Sequence, residues 1–361
     1  MKKIVKFAAM KPYSLLAAFS AAIFCNISTQ AIGHNILNET DTAFFATDEA
    51  ARIGTQIVAY QRVTGGWPKN IDMARPLAPA QLDSVVALKP RTTDSTTDNG
   101  ATTAQMKFLA RLYAATRSEL WREAFIKGVE YLLSGQYDTG GWPQFWPNPK
   151  GYQVHITYND DAMANTLSLI RDLRDGKAPY DAPGIVDEKM RERLDNAFRR
   201  GVECILATQI VVDGEPTVWC QQHDRETLAP ASARAYELPS FCSTESMTLV
   251  WLLMDIPNPD ERICRAVEGA MKWFDRNRID GFRYVRRGPQ GTRLVADPSA
   301  STWARYYDLV ECRPFVCDRD GIPKRSLDEI GRERRDGYAW YSGAPASLFP
   351  KYERWRQANG R

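Results

Sequence analysis

The chain has 361 residues, 44% of them hydrophobic, enough to bury one large core or two modest ones. Its formal charge of +3 owes everything to Lys2, Lys3, Lys6 and Lys11: without them 47 − 4 = 43 basic residues face 44 acidic ones, a balance of −1, which excludes nucleic acid as a partner on charge grounds. With three histidines (His34, His155, His223) and no Cys-x-x-Cys spacing, zinc and histidine-based acid–base chemistry fall away too.

In chain order, residues 1–31 read as a signal peptide: four lysines, an apolar run over 14–24, and Ala31 at a plausible cleavage point. The run is about half a membrane span, so it is a leader rather than an anchor, and Phe24 is too large for a lipobox at Cys25. The mature domain is then 32–361, exported to the periplasm or secreted, free of the membrane and expected to be a monomer. An oxidising destination permits disulfides among Cys204, Cys220, Cys242, Cys264, Cys312 and Cys317.

Seven stretches carry helical periodicity. They are 43–60; Met106, Leu109, Ala110, Tyr113; Phe125, Val129, Leu132, Leu133; Met163, Leu167, Ile170; 187–208; Met247, Val250, Trp251, Met254; and 258–273, where Asn258 is the expected N-cap and Pro259 the first helical residue. Strand signals are confined to 282–285 and 292–295, a hairpin around Gly288-Pro289-Gln290-Gly291. Long polar and aromatic loops fill 91–103, 214–243 and 297–345.

One phrase recurs. Gln61 leads to Gly65-Gly66-Trp67-Pro68 and Gln136 to Gly140-Gly141-Trp142-Pro143, at an offset of 136 − 61 = 75 residues. Degraded copies run from Gln209 through Asp213-Gly214 to Trp219, and from Trp273-Phe274 to Asp280-Gly281-Phe282. A repeated unit that cannot bury its own apolar face stacks on its neighbour. The expected fold is therefore all-α: an α/α toroid or barrel of about three helical hairpins, with long loops and a short β-hairpin region. Its loops would gather at one mouth.

Two acidic helix starts stand out, Asp98-Asn99-Gly100 and Asn159-Asp160-Asp161. Either alone is explained by N-capping and the helix dipole. Converging on one mouth, their oxygens would suit a hard cation such as calcium. Arg234, Arg305, Arg313 and Arg319 lie in loops among aromatics such as Tyr236, the setting for gripping a carboxylate beside a sugar ring, although surface ion pairing accounts for most arginines. Trp142 is either a loop plug or a sugar platform.

The phrases Asp98-Asn-Gly-Ala-Thr-Thr103, 131–147, Ile156-Thr-Tyr-Asn-Asp160-Asp161-Ala-Met163, Arg234-Ala-Tyr-Glu-Leu-Pro239 and 305–321 resemble the pectate lyases of polysaccharide lyase family 10, in order over nearly the whole mature chain. That resemblance implies a helical toroid and calcium-dependent β-elimination on α-1,4-polygalacturonate. It implies Asp98, Asp160 and Asp161 at the calcium centre, Arg234 and Arg305 as uronate binders, and Arg319 as the base facing the C5 proton. Arg313, Trp142 and Tyr236 complete the candidate substrate contacts. The alternatives are a hydrolase on the same architecture, with Asp160 or Asp161 as acid or base, and a pectin-binding protein without chemistry. The Gln-x-x-x-Gly-Gly-Trp phrase also resembles terpene cyclases, but no Asp-x-Asp-Asp occurs.

Overall fold

The computed structural model describes residues 36–361, and the expected signal peptide lies outside the described residues. Ten α-helices carry the frame: α1 (Asp48–Tyr60), α2 (Pro79–Ala87), α3 (Thr103–Thr116), α4 (Glu119–Ser134), α5 (Ala162–Arg174), α6 (Glu188–Thr208), α7 (Ser243–Met254), α8 (Glu261–Arg276), α9 (Arg332–Gly337) and α10 (Leu348–Ala358). All seven periodic stretches are among them. Several starts are set by side-chain caps. Thr47 accepts the Ala50 N–H at 3.2 Å, Asp187 that of Met190 at 2.8 Å, and Asp260 that of Ile263 at 2.9 Å. Asp260, not Asn258, caps α8. Asn258 takes a left-handed φ of 49°, so the chain has not yet entered the helix there.

Three hairpins, α3/α4, α5/α6 and α7/α8, stack so that α3, α5 and α7 lie side by side and α1, α4, α6 and α8 form a second row. Side chains decide which row is which. Helix α8 buries Ile263, Val267, Ala270 and Phe274 on one face and leaves the other charged, whereas α7 buries residues nearly all round. A one-sided apolar stripe belongs to an outer helix and an apolar circumference to an inner one.

The recurring phrase is the device that joins one hairpin to the next. Gln61 donates to Gly65 O and to Ala124 O in α4, both at 2.8 Å; Gln136 donates to Gly140 O and to Ala197 O in α6, both at 2.9 Å; Gln209 donates to Thr217 O at 2.8 Å and to Ala266 O in α8 at 2.9 Å. Gly65 and Gly140 share a φ of 93°, and a Cβ on either would stand 2.1 Å from a carbonyl of the neighbouring outer helix, Lys127 O or Arg200 O. Glycine is needed there for both conformation and approach. Each tryptophan then turns back: Trp67, Trp142 and Trp219 donate their indole N–H, at 2.7 Å, to Ile57, Leu132 and Ile205 of the helix just completed.

The C-terminal third departs from expectation. The plug of the fourth unit is Trp303, which donates to Phe274 O at 2.8 Å, while Phe282 is 41% exposed. Between them the turn has grown into a long hairpin, Ile279–Gly288 paired antiparallel with Gly291–Ala304, extended at one edge by Tyr341–Ser342. A second small sheet joins Phe241–Cys242, Tyr306–Tyr307, Pro314–Cys317 and Pro323–Lys324. The chain is thus a helical frame with sheet in its C-terminal third rather than all-α. Much of the expected 297–345 loop is strand. The outer part of the long hairpin is largely exposed, which hid its alternation, whereas Tyr306–Tyr307 and Pro314–Cys317 are buried but too short to show one.

The sequence left the pairing of the cysteines open. All six in the described residues are unpaired thiols, and Cys242 donates to Glu245 at 2.6 Å. Among the described residues no helix is long and apolar enough to cross a membrane.

Trp142 is 2% exposed and fully committed to its plug. Trp142→Ala should cost about 3–5 kcal/mol in a urea titration. Trp146→Ala, at a partly buried neighbour whose indole bonds only Ser134, should cost no more than about 1.5 kcal/mol. Equal losses would contradict the plug.

Candidate active site

The inner helices α3, α5 and α7 begin at the same end of the frame, each with an acid. Asp98 and the pair Asp160-Asp161 lie in single 3-10 turns ahead of α3 and α5, and Glu245 lies in the first turn of α7. The two turns are conformational twins: Asn99 (φ 53°, ψ 31°) and Asp160 (φ 52°, ψ 34°) both take the left-handed region. Short polar side chains tolerate it, at a cost the surrounding packing must meet.

The twin turns pack against each other and bring the Asp98 and Asp160 carboxyls close enough to repel. Burial, then Asp98 and Glu245, push the Asp160 carboxyl up to about 6 against the opposing pull of Arg305. Asp161 is likewise pushed up to about 6, chiefly by burial, and turns toward Thr248, whose hydroxyl donates to it at 2.8 Å. Asp98 is 1% exposed. Its Oδ2 accepts from Lys69 and, at 2.8 Å, from Gln144, while Oδ1 is buried with no hydrogen-bond partner.

Arg305 closes the other side. Buried, it pairs with Glu245, donates to Asn159 Oδ1 at 3.2 Å and lies 3.9 Å from Asp160. Burial opposes its charge, but Glu245, Tyr338 and Tyr306 together outweigh that and hold it firmly protonated. It stacks on the Tyr338 ring at 4.7 Å, and Arg234 approaches the same ring at 5.7 Å. Tyr338 donates to Glu237 at 2.7 Å, and Glu237 receives both arms of Arg234. One polar line therefore runs from Lys69 through the carboxylates to Arg234. The Tyr152 hydroxyl lies within electrostatic reach of both Arg234 and Asp98.

Arg319 lies further out. It is exposed, held by Glu333 at 3.1 Å, and 6.0 Å from the Tyr236 ring, which Arg334 covers at 4.4 Å. Tyr236 is only 4% exposed and serves as the floor under these guanidinium groups, not as an open sugar platform. Arg313 does not join the group: it pairs with Glu311, and the four-residue strand Pro314–Cys317, about 13 Å long, stands between it and Arg319. Trp142 is excluded too, because its ring is inside the core.

The structure thus gathers Asp98, Asp160, Arg305 and Arg234, with Asp161, Tyr236 and Arg319 beside them. It adds Lys69, Gln144, Glu237, Glu245, Tyr338 and Arg334. One sequence signal could have found two of these. Lys69, Gln144 and Arg305 each stand two residues after a plug tryptophan (Trp67, Trp142, Trp303), so the plug aims that position into the mouth.

Asp160 and Asp161 hold protons when folded that the unfolded chain releases above its ordinary carboxyl pKa of 3.8. Their stabilising share is complete below that value and is lost as pH rises through about 6. Replacing both by Asn should recover on the order of 1–2 kcal/mol at neutral pH in metal-free protein, after discounting solvent screening. Urea titrations across this range should flatten, and an unchanged slope would contradict the assignment.

No curated protein matches the chain in sequence. A family model described as pectic acid lyase matches residues 61–349. Among solved structures, a family 10 polysaccharide lyase from Cellvibrio cellulosa is 32% identical with a TM-score of 0.78, covering 87% of this chain and 94% of that one. A mutant of a family 10 polysaccharide lyase from the same organism, in complex with trigalacturonic acid, is 31% identical with a TM-score of 0.78, over 87% of this chain and 97% of its own. The matched span takes in the plug tryptophans, the three acidic helix starts and the arginines of the mouth. The chain belongs to the pectic acid lyase family and is a polysaccharide lyase acting on polygalacturonate.

Proposed function

We infer that the protein cleaves α-1,4-polygalacturonate by anti β-elimination with calcium, releasing 4,5-unsaturated oligogalacturonides. The observation that carries this reading is the polar line from Lys69 to Arg234, which sets two close carboxylates beside guanidinium groups. Asp98 Oδ1 is buried without a partner and the Asp160 carboxyl lies close to Asp98, a hard-oxygen pair that fits calcium. Among the described residues no three or more His, Cys, Asp or Glu side chains form a closed metal cage. The pair therefore supplies part of a shell of about 6–8 oxygens, leaving places for water and the uronate carboxylate.

Calcium bound there would supply positive charge against the enediolate-like charge that develops at C5 and C6. Asp98 and Asp160 would hold the ion, and Arg305, kept charged by Glu245, would add its positive field beside them. As a base takes the C5 proton, the electron pair forms the C4=C5 bond, the C4–O4 bond breaks, and the departing oxygen takes a proton from water. Direct grip of a uronate by Arg305 would require it to exchange Glu245.

The resemblance assigns the base to Arg319, and the geometry favours Arg234. Both guanidinium groups are exposed in part and paired with a glutamate. Arg234, however, shares the Tyr338 ring with Arg305, which lies 3.9 Å from Asp160, whereas Arg319 sits further out beside the Tyr236 ring. Either guanidinium must lose a proton that it normally keeps above pH ~12, so the reaction should run best under alkaline conditions. Export behind the 1–31 leader, a monomeric state and a curved toroid of the two helical rows belong to the same proposal, supported by the leader composition and the stacked hairpins.

Incubation with polygalacturonate should produce unsaturated, ultraviolet-absorbing product that disappears on chelation and returns with calcium. Activity that survives chelation, or an acidic optimum, would contradict the reading. Arg234→Ala should lower kcat by about 10²–10⁴-fold, and Arg319→Ala should mainly raise KM. The reverse pattern restores Arg319 as the base.

A further inference from the structure

Lys69 begins the polar line but has no chemical step in the reading above, and its position is tightly constrained. Trp67, two residues before it, is sealed in the core, and the backbone between them is tied to the Asp98 loop. The Trp67 N–H donates to Thr102 Oγ1 at 3.1 Å, Thr96 N–H donates to Trp67 O at 3.1 Å, and Asp98 N–H donates to Thr96 Oγ1 at 3.0 Å. Lysine and carboxylate are therefore mounted on one rigid piece. The ammonium lies on Asp98 Oδ2 beside Gln144 and 5.6 Å from the centre of the Phe145 ring. Its side chain is 29% exposed, against 1% for the Asp98 carboxylate, so it spans from the buried acid to the open mouth.

A divalent cation and an ammonium cannot share so small a space at full strength, since both seek Asp98 and each repels the other. Resting on the calcium reading, we propose that Lys69 is the built-in counter-ion of Asp98, which the metal displaces, and that the released ammonium swings on its flexible stem to the carboxylate of the incoming uronate. Metal and acidic sugar then bind together far better than either binds alone. Coupling of this kind is reciprocal: sugar must tighten the metal by the same factor that metal tightens the sugar. Lysine suits the task better than arginine because a point charge on four methylenes can change partners without breaking a bidentate fork.

The test is calcium binding to the intact mature protein by calorimetry, with and without trigalacturonate, near neutral pH, where Asp160 is ionised and the alkaline-driven turnover is slow. The parent protein should bind calcium weakly alone and at least tenfold more tightly with the trisaccharide. Lys69→Met, which keeps the contact with Phe145, should bind calcium at least tenfold more tightly without sugar and should lose most of the coupling. Lys69→Arg, which retains the charge, should restore weak binding in the absence of sugar. If the parent binds calcium with trigalacturonate but Lys69→Met binds it no more tightly alone, the exchange is wrong and the calcium site stands. If neither protein binds calcium even with the sugar, the calcium reading fails and the exchange falls with it. A folded Lys69→Met, checked by its thermal melt, makes either result decisive.

Discussion

The rest of the molecule depends on one hydrogen bond made four times: the indole N–H of a plug tryptophan donated to a carbonyl near the end of the helix just completed. Such a bond contributes only about 1 kcal/mol net. Its importance is directional. It satisfies a carbonyl that a helix end would leave open, buries the largest side chain available, and sets the heading of the chain as it leaves the turn. With the heading set, the glutamine at the start of the turn can reach the next outer helix in three of the four units. The residue two places beyond the tryptophan is delivered to the mouth in three of them as Lys69, Gln144 and Arg305.

The mouth itself runs against stability. Asp98, Asp160 and Glu245 are brought together at the starts of parallel inner helices, where helix dipoles help them but burial and mutual repulsion do not. Two internal cations, Lys69 and Arg305, answer this, and Arg234 with Glu237 forms a further pair linked through Tyr338. Buried pairs of this sort seldom gain much over an apolar core. The left-handed backbone at Asn99, Asp160 and Asp161 adds strain in the same place. A site that accepts metal and an acidic sugar needs carboxylates incompletely satisfied and cations able to move, and this arrangement has both.

Legibility followed physical range. The seven longer helices were visible because their apolar spacing is local. Helices α2 and α9 were not, because α2 is short and buries only Val85 while α9 is a six-residue, mostly charged turn, and α10 buries little beyond Leu348 and Trp355. Asp98 and Asp160 could be picked out as acidic residues at helix starts. Glu245 could not, since it sits within an apolar helix and looks like an ordinary first-turn acid. The hairpin after α8 hid the fourth tryptophan plug by moving it 26 residues past Asn277, whereas the first two plugs follow Gln61 and Gln136 by six.

The sequence by itself determined the repeat, the helical hairpins, the acidic helix starts and the loop arginines, because periodicity, capping and turn chemistry act over a few residues. Only the tertiary structure decided that Trp142 is core, that Arg313 stands apart, that the cysteines remain thiols and that Lys69, Glu245 and Tyr338 join the site. Those outcomes depend on which distant segments meet across stacked hairpins, and no local spacing records a meeting between positions 69 and 98 or between 159, 245 and 305.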